Sequence, residues 1–115
     1  MYKMSYAEIM DDDARAARRR EQMAIDHAID LMSAAEAKGA RSPEADEAVL
    51  YVQKLWTFFI ESLTDPHNDL AASLKNDLIG IGLWTIAEAD RILADPSKSF
   101  AALIDVNKTI RDGLA

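Results

Sequence analysis

The chain has 115 residues, which fits one domain over residues 1–115 and suffices for one hydrophobic core without disulfides. Half of the residues are hydrophobic, 29% are charged and none is cysteine, as in soluble proteins of a reducing cytoplasm. The net charge of −7 disfavours binding to DNA and general binding to RNA, and no apolar run approaches the ~20 residues of a membrane span. We therefore expect a cytoplasmic protein that neither spans a membrane nor binds DNA.

The first predicted helix runs from about Ser5 to Lys38, with a candidate break near residues 11–13, where three aspartates follow one another. Ser5 and Glu8 have the S-x-x-E spacing of a capping box. Gly39 suits the left-handed position that often ends a helix.

Two further helices follow. Ser42 is a favourable N-cap for a helix over residues 43–64, because a proline occupies the first helical position after it. Asn68 or Asp69 is expected to cap a third helix, over residues 70–94.

The last predicted helix runs from about Phe100 to Asp112, with Ser97 or Ser99 as its cap and Gly113 at its end. The connections are short, so neighbouring helices should be roughly antiparallel. The sequence therefore predicts an all-α, single-domain four-helix bundle with short loops.

Helices 2 and 3 are apolar on most of their sides, unlike the one-sided helices 1 and 4. We expect part of this surface to stay uncovered and to bind a partner, while the alternative is that all of it belongs to the core. The candidate partner-binding residues are Tyr51, Leu55, Phe58, Leu83 and Trp84. Gly80 and Gly82 indicate a close approach of another backbone, and a tight crossing with helix 2 is favoured over a partner contact.

A basic cluster comprises Arg15, Arg18, Arg19 and Arg20. It is a candidate polar contact with an acidic partner or RNA, although a solvated or internally paired face is the favoured alternative.

Catalytic and metal-binding patterns are weak. His27 lies near Asp26 and Asp30, but a third ligand is not evident, so a surface histidine is favoured over a metal ligand. His67 lies in a predicted turn. We expect no enzymatic activity, no cofactor and no metal.

Several sequence blocks in order resemble the FlaF family of flagellar biosynthesis regulators. They are Ser5-Tyr6-Ala7-Glu8, Arg41-Ser42, Leu55-Trp56, Asn68-Asp69-Leu70, Ile79-Gly80-Ile81-Gly82-Leu83-Trp84 and the segment from Leu103 to Leu114. The resemblance implies a flagellin-binding secretion chaperone and a positive post-transcriptional regulator of flagellin synthesis. The partner would be a helical terminal segment of flagellin. The alternative is a translational regulator that contacts flagellin mRNA directly or through the regulator FlbT.

Overall fold

The computed structural model describes residues 6–39, 41–95 and 97–113, with side chains from residue 14 onward. Within these ranges the chain forms four helices and no strand, which confirms the predicted all-α four-helix bundle. The helices are α1 (Tyr6–Lys38), α2 (Pro43–Thr64), α3 (Ala72–Ala94) and α4 (Ala101–Gly113).

The expected break in the first helix is wrong, because α1 continues through residues 11–13. No glycine or proline occurs between Tyr6 and Lys38, and an aspartate costs at most about 0.7 kcal/mol in a helix. The Ser5–Glu8 capping box lies outside the described side chains.

The first interhelical turn has the predicted chemistry. Gly39 adopts a φ of 104°, and the Ser42 hydroxyl accepts a hydrogen bond from the Ala45 backbone N–H at 3.2 Å. The start of α3 differs from the prediction, because Ala71 is its N-cap and supplies no side-chain hydrogen bond. The Asn68 side chain instead accepts from the Leu70 backbone N–H within the preceding turn, which delays the helix by two residues.

The contacts between helices give their arrangement in space. Helix α2 lies between α1 and α3, while α4 packs mainly on α1 and meets α3 over a short stretch only. Large, fully buried hydrophobic side chains come from each of the four helices and from Phe100, which precedes α4. They are Ile25, Met32, Val49, Val52, Trp56, Ile92, Phe100 and Leu103.

Polar contacts fix the position of α4. The buried Trp56 indole N–H donates to Asn107 Oδ1 at 2.9 Å, and Asn107 Nδ2 donates to the Leu103 carbonyl at 2.8 Å. The Glu36 carboxylate accepts from the Phe100 backbone N–H, so a side chain of α1 caps the start of α4. None of the described helices combines the length and the apolar composition needed to span a membrane.

Candidate functional site: an apolar groove beyond the end of α4

Helix α4 is too short to cover the whole bundle. It has 13 residues, or about 20 Å, whereas α2 has 22 and α3 has 23, or about 33–35 Å. Along α1 it extends from Glu36, next to Phe100, to Asp26, whose carboxylate lies 2.9 Å from the Arg111 guanidinium. Within the described residues, no fourth helix therefore covers the core beyond Asp26.

A groove of about 430 Å³, which we call the end groove, occupies this position. Its floor and walls come from α1, the C-terminal half of α2, the start of α3 and the end of α4. The apolar members are Ile25, Trp56, Phe59, Leu63, Leu70, Leu74, Leu78 and Ile110. Gly113, the last residue of α4, also borders it, so the groove lies where a longer α4 would continue.

The α1 side of the end groove carries charge. Arg18 and Glu21 line it, and Arg19 and Arg20 are exposed next to them on α1. Burial raises the pKa of the half-buried Glu21 carboxyl, while Arg18 and Arg20 lower it. Arg15 is also exposed, three residues before Arg18 and therefore on the same side of α1.

A second, shallower groove, which we call the side groove, separates α3 from α4 nearer their loop. It also has a volume of about 430 Å³ and is lined by Asn76, Asp77, Gly80, Ile81, Trp84 and Val106. The expected tight crossing with α2 is wrong for Gly80, because a Cβ there would meet no atom within 4 Å. It is confirmed for Gly82, where a Cβ would lie 3.0 Å from both Trp56 and Ile60.

Exposed apolar side chains concentrate on α2, α3 and the residues that lead into α3. Among the described side chains, the large exposed hydrophobic residues are Met23, Leu50, Phe58, Leu70, Leu74, Leu83, Trp84 and Leu93. All of them except Met23 lie in this part of the chain. The expectation that the two central helices have apolar surface that their neighbours do not cover is therefore met in the described part of the chain.

The comparison with protein families decides the identity. A family model described as flagellar protein FlaF matches residues 2–114. The chain belongs to the FlaF family. Comparisons with curated proteins and with solved structures gave no match. Membership of the FlaF family supports a role in flagellar biogenesis.

In this FlaF chain, the five partner-binding candidates do not share one groove. Tyr51 is partly buried against α1, where its hydroxyl donates to the Ala24 carbonyl at 3.2 Å and burial raises its pKa. Leu55 packs partly buried against the core. Phe58 and Leu83 are exposed, and Trp84 lines the side groove. Their role in binding stays a prediction.

Sequence reasoning missed the end groove of this FlaF chain, although one signal was available. The predicted bounds already made the last helix much shorter than helices 2 and 3. A shorter fourth helix must leave part of the apolar surface of its neighbours without cover.

The two histidines of this FlaF chain lie beside Tyr51 and Asp65. His27 is exposed, and its ring meets that of Tyr51 edge-on with 4.8 Å between centroids. His67 Nδ1 lies 3.1 Å from Asp65 in the turn before α3. Within the described ranges, no group of three or more His, Cys, Asp or Glu side chains is placed to hold a metal ion.

Proposed function

We propose that this FlaF-family protein binds flagellin as a secretion chaperone and positively regulates flagellin synthesis after transcription. The observation that carries the proposal is the apolar end groove, together with the exposed apolar side chains of α2 and α3. Contiguous apolar surface on a soluble protein usually marks a site of protein interaction. Family membership supplies the flagellar context.

Flagellin fits such a surface because its terminal segments are amphipathic helices that stay unpacked until the filament assembles. An amphipathic helix that is laid into an apolar groove buries its apolar face and is protected from aggregation. A helical chaperone needs no catalytic group for this task, only a stable bundle that presents the groove.

Co-elution tests the binding. Flagellin and the protein, produced together, should co-elute as a complex in size-exclusion chromatography, and each should elute later alone. Failure of the wild-type protein to co-elute with flagellin at micromolar concentration would contradict the chaperone role.

The regulatory role has its own readout. In cells that lack the protein, flagellin protein should fall while flagellin mRNA stays within about twofold of wild type. An equal fall of mRNA and protein would place the effect at transcription and would contradict this part of the proposal.

A second candidate function is regulation through flagellin mRNA, bound directly or through FlbT. The exposed Arg18, Arg19 and Arg20 on one stretch of α1 favour it, because clustered arginines bind phosphates. The net charge of −7 opposes it. A gel-shift with the flagellin mRNA leader, with and without FlbT, tests it at low salt, and the absence of any shift would dispose of direct binding.

A further inference from the structure

The end groove is long enough for a short helical segment. Along α1 it extends from Ile25 to Arg18, which is about 11 Å or two helical turns. The opposite wall is formed by Leu74 and Leu78, one turn apart on α3, so both walls repeat at helical spacing. Gly113, the last residue of α4, lies at one end of the groove.

We infer that the end groove receives two turns of an amphipathic helix that is apolar towards the groove and acidic towards α1. This helix takes the place of a longer α4 and completes the bundle. The inference rests on the proposed function, because the helix is assigned to flagellin.

The floor of the groove determines the class of partner. Trp56, Phe59 and Leu63 of α2 form an apolar floor, and the indole N–H of Trp56 is already bonded to Asn107. Ser62, Asn68 and Thr109 also line the groove. The Asn68 side chain already donates to the Ser62 carbonyl and accepts from the Leu70 backbone N–H, and the Thr109 hydroxyl donates to the Asp105 carbonyl. Apolar side chains at positions i, i+3 or i+4, and i+7 of a helix fit the apolar floor.

The charges around the groove determine which flank of the incoming helix is acidic. The protein as a whole carries a net charge of −7 and repels acidic partners. Arg18 at the groove and the exposed Arg19 and Arg20 form a local exception on α1. Glu21 offsets this charge only in part, so carboxylates on the helix are favoured next to Arg18.

A pair of leucines on α3 provides a matched test. Leu74 lines the groove and is 46% exposed, whereas Leu93 lies at the other end of α3, is 41% exposed and lines neither groove. Titration calorimetry with flagellin should show at least a tenfold loss of affinity for Leu74→Glu and less than a twofold change for Leu93→Glu. Both leucines are substantially exposed, so both variants should fold, and far-UV circular dichroism of each checks this.

A second pair tests the charge. Arg18→Glu should weaken flagellin binding several-fold at 50 mM salt, and less at 500 mM, where surface charges are screened. Lys108→Glu makes the same change of charge at an exposed position of α4 that lines neither groove, and it should leave binding within twofold of wild type.

The outcomes separate the two proposals. If the wild-type protein does not bind flagellin, the proposed function and the inference would both be refuted. If the wild-type protein binds flagellin and Leu74→Glu binds it with the same affinity, the inference alone would be overturned. Equal losses for Leu74→Glu and Leu93→Glu would also overturn it, since binding would then depend on general apolar exposure. If Phe58→Glu alone lost binding and Leu74→Glu did not, the site would lie on the exposed face of α2 around Phe58, which we call the outer face of α2.

Discussion

Replacing each of two glycines of α3 by alanine should give two variants of different stability. At Gly82 the added Cβ would lie 3.0 Å from Cγ1 and Cδ1 of Ile60 and from Cε3 of Trp56, well inside ordinary carbon contacts. Trp56 is 1% exposed and hydrogen-bonded to Asn107, so its side chain cannot easily move away from the added Cβ. At Gly80 the same atom would meet nothing within 4 Å.

The magnitude follows from two terms. Both substitutions gain about 1 kcal/mol of helix propensity, because alanine loses less backbone entropy than glycine. Gly82→Ala alone adds overpacking, which typically costs about 1–3 kcal/mol. Gly80→Ala should therefore stabilise the protein by about 1 kcal/mol, and the two variants should differ by about 1–3 kcal/mol, with Gly82→Ala the less stable.

Urea unfolding followed by circular dichroism at 222 nm measures both free energies, and an unchanged m-value would show that the change lies in stability. Ile60→Val removes one of the two Ile60 atoms in the contact, so it should recover part of the loss when combined with Gly82→Ala. Equal stabilisation by Gly82→Ala and Gly80→Ala would refute the close packing of α3 on α2.

Three further predictions concern single contacts. Asn107→Ala should destabilise the protein by about 1–3 kcal/mol in urea unfolding, because it leaves the buried Trp56 N–H without an acceptor; an unchanged unfolding midpoint would contradict this role. Ser42→Ala should cost about 1 kcal/mol in the same assay through loss of the N-cap, whereas Ser42→Gly should cost only a few tenths, and equal costs would argue against the cap. Hydrogen bonds from Lys98 and Arg91 lower the pKa of Glu88. The stabilisation from the ionised Glu88 carboxylate is therefore present above its ordinary pKa of about 4.5, and it is lost as the pH falls through the lowered pKa of the folded protein. The stability difference between wild type and Glu88→Gln should therefore shrink over that acidic range, and a difference that does not vary with pH would contradict the linkage.

The sequence predicts the helices well wherever proline and capping residues mark their ends. Helix α2 has its predicted bounds, residues 43–64, because Ser42-Pro43 starts it and Asp65-Pro66 follows it. For α3 the sequence predicts a start two residues too early, because the Asn68 side chain bonds within the turn and does not cap the helix.

The positions of individual side chains were harder to predict. Periodicity shows that both sides of α2 are apolar, but it does not show which neighbour covers each side. It therefore does not predict that Tyr51 contacts α1 or that Leu55 packs against the core. Asn107 stands on the apolar stripe of α4, four residues after Leu103. Its bond to Trp56 joins residues 51 positions apart and follows only from the tertiary packing.

The most direct test of the end groove is chemical-shift mapping of the isotope-labelled wild-type protein on addition of flagellin. Backbone amides of residues 70–78 and 109–113 and the indole N–H of Trp56 should shift, together with the amides around Arg18. Amides near Leu50 and Leu93 should not. Shifts confined to the outer face of α2, around Phe58, with the end-groove amides unchanged, would contradict the proposal that flagellin docks beyond the end of α4.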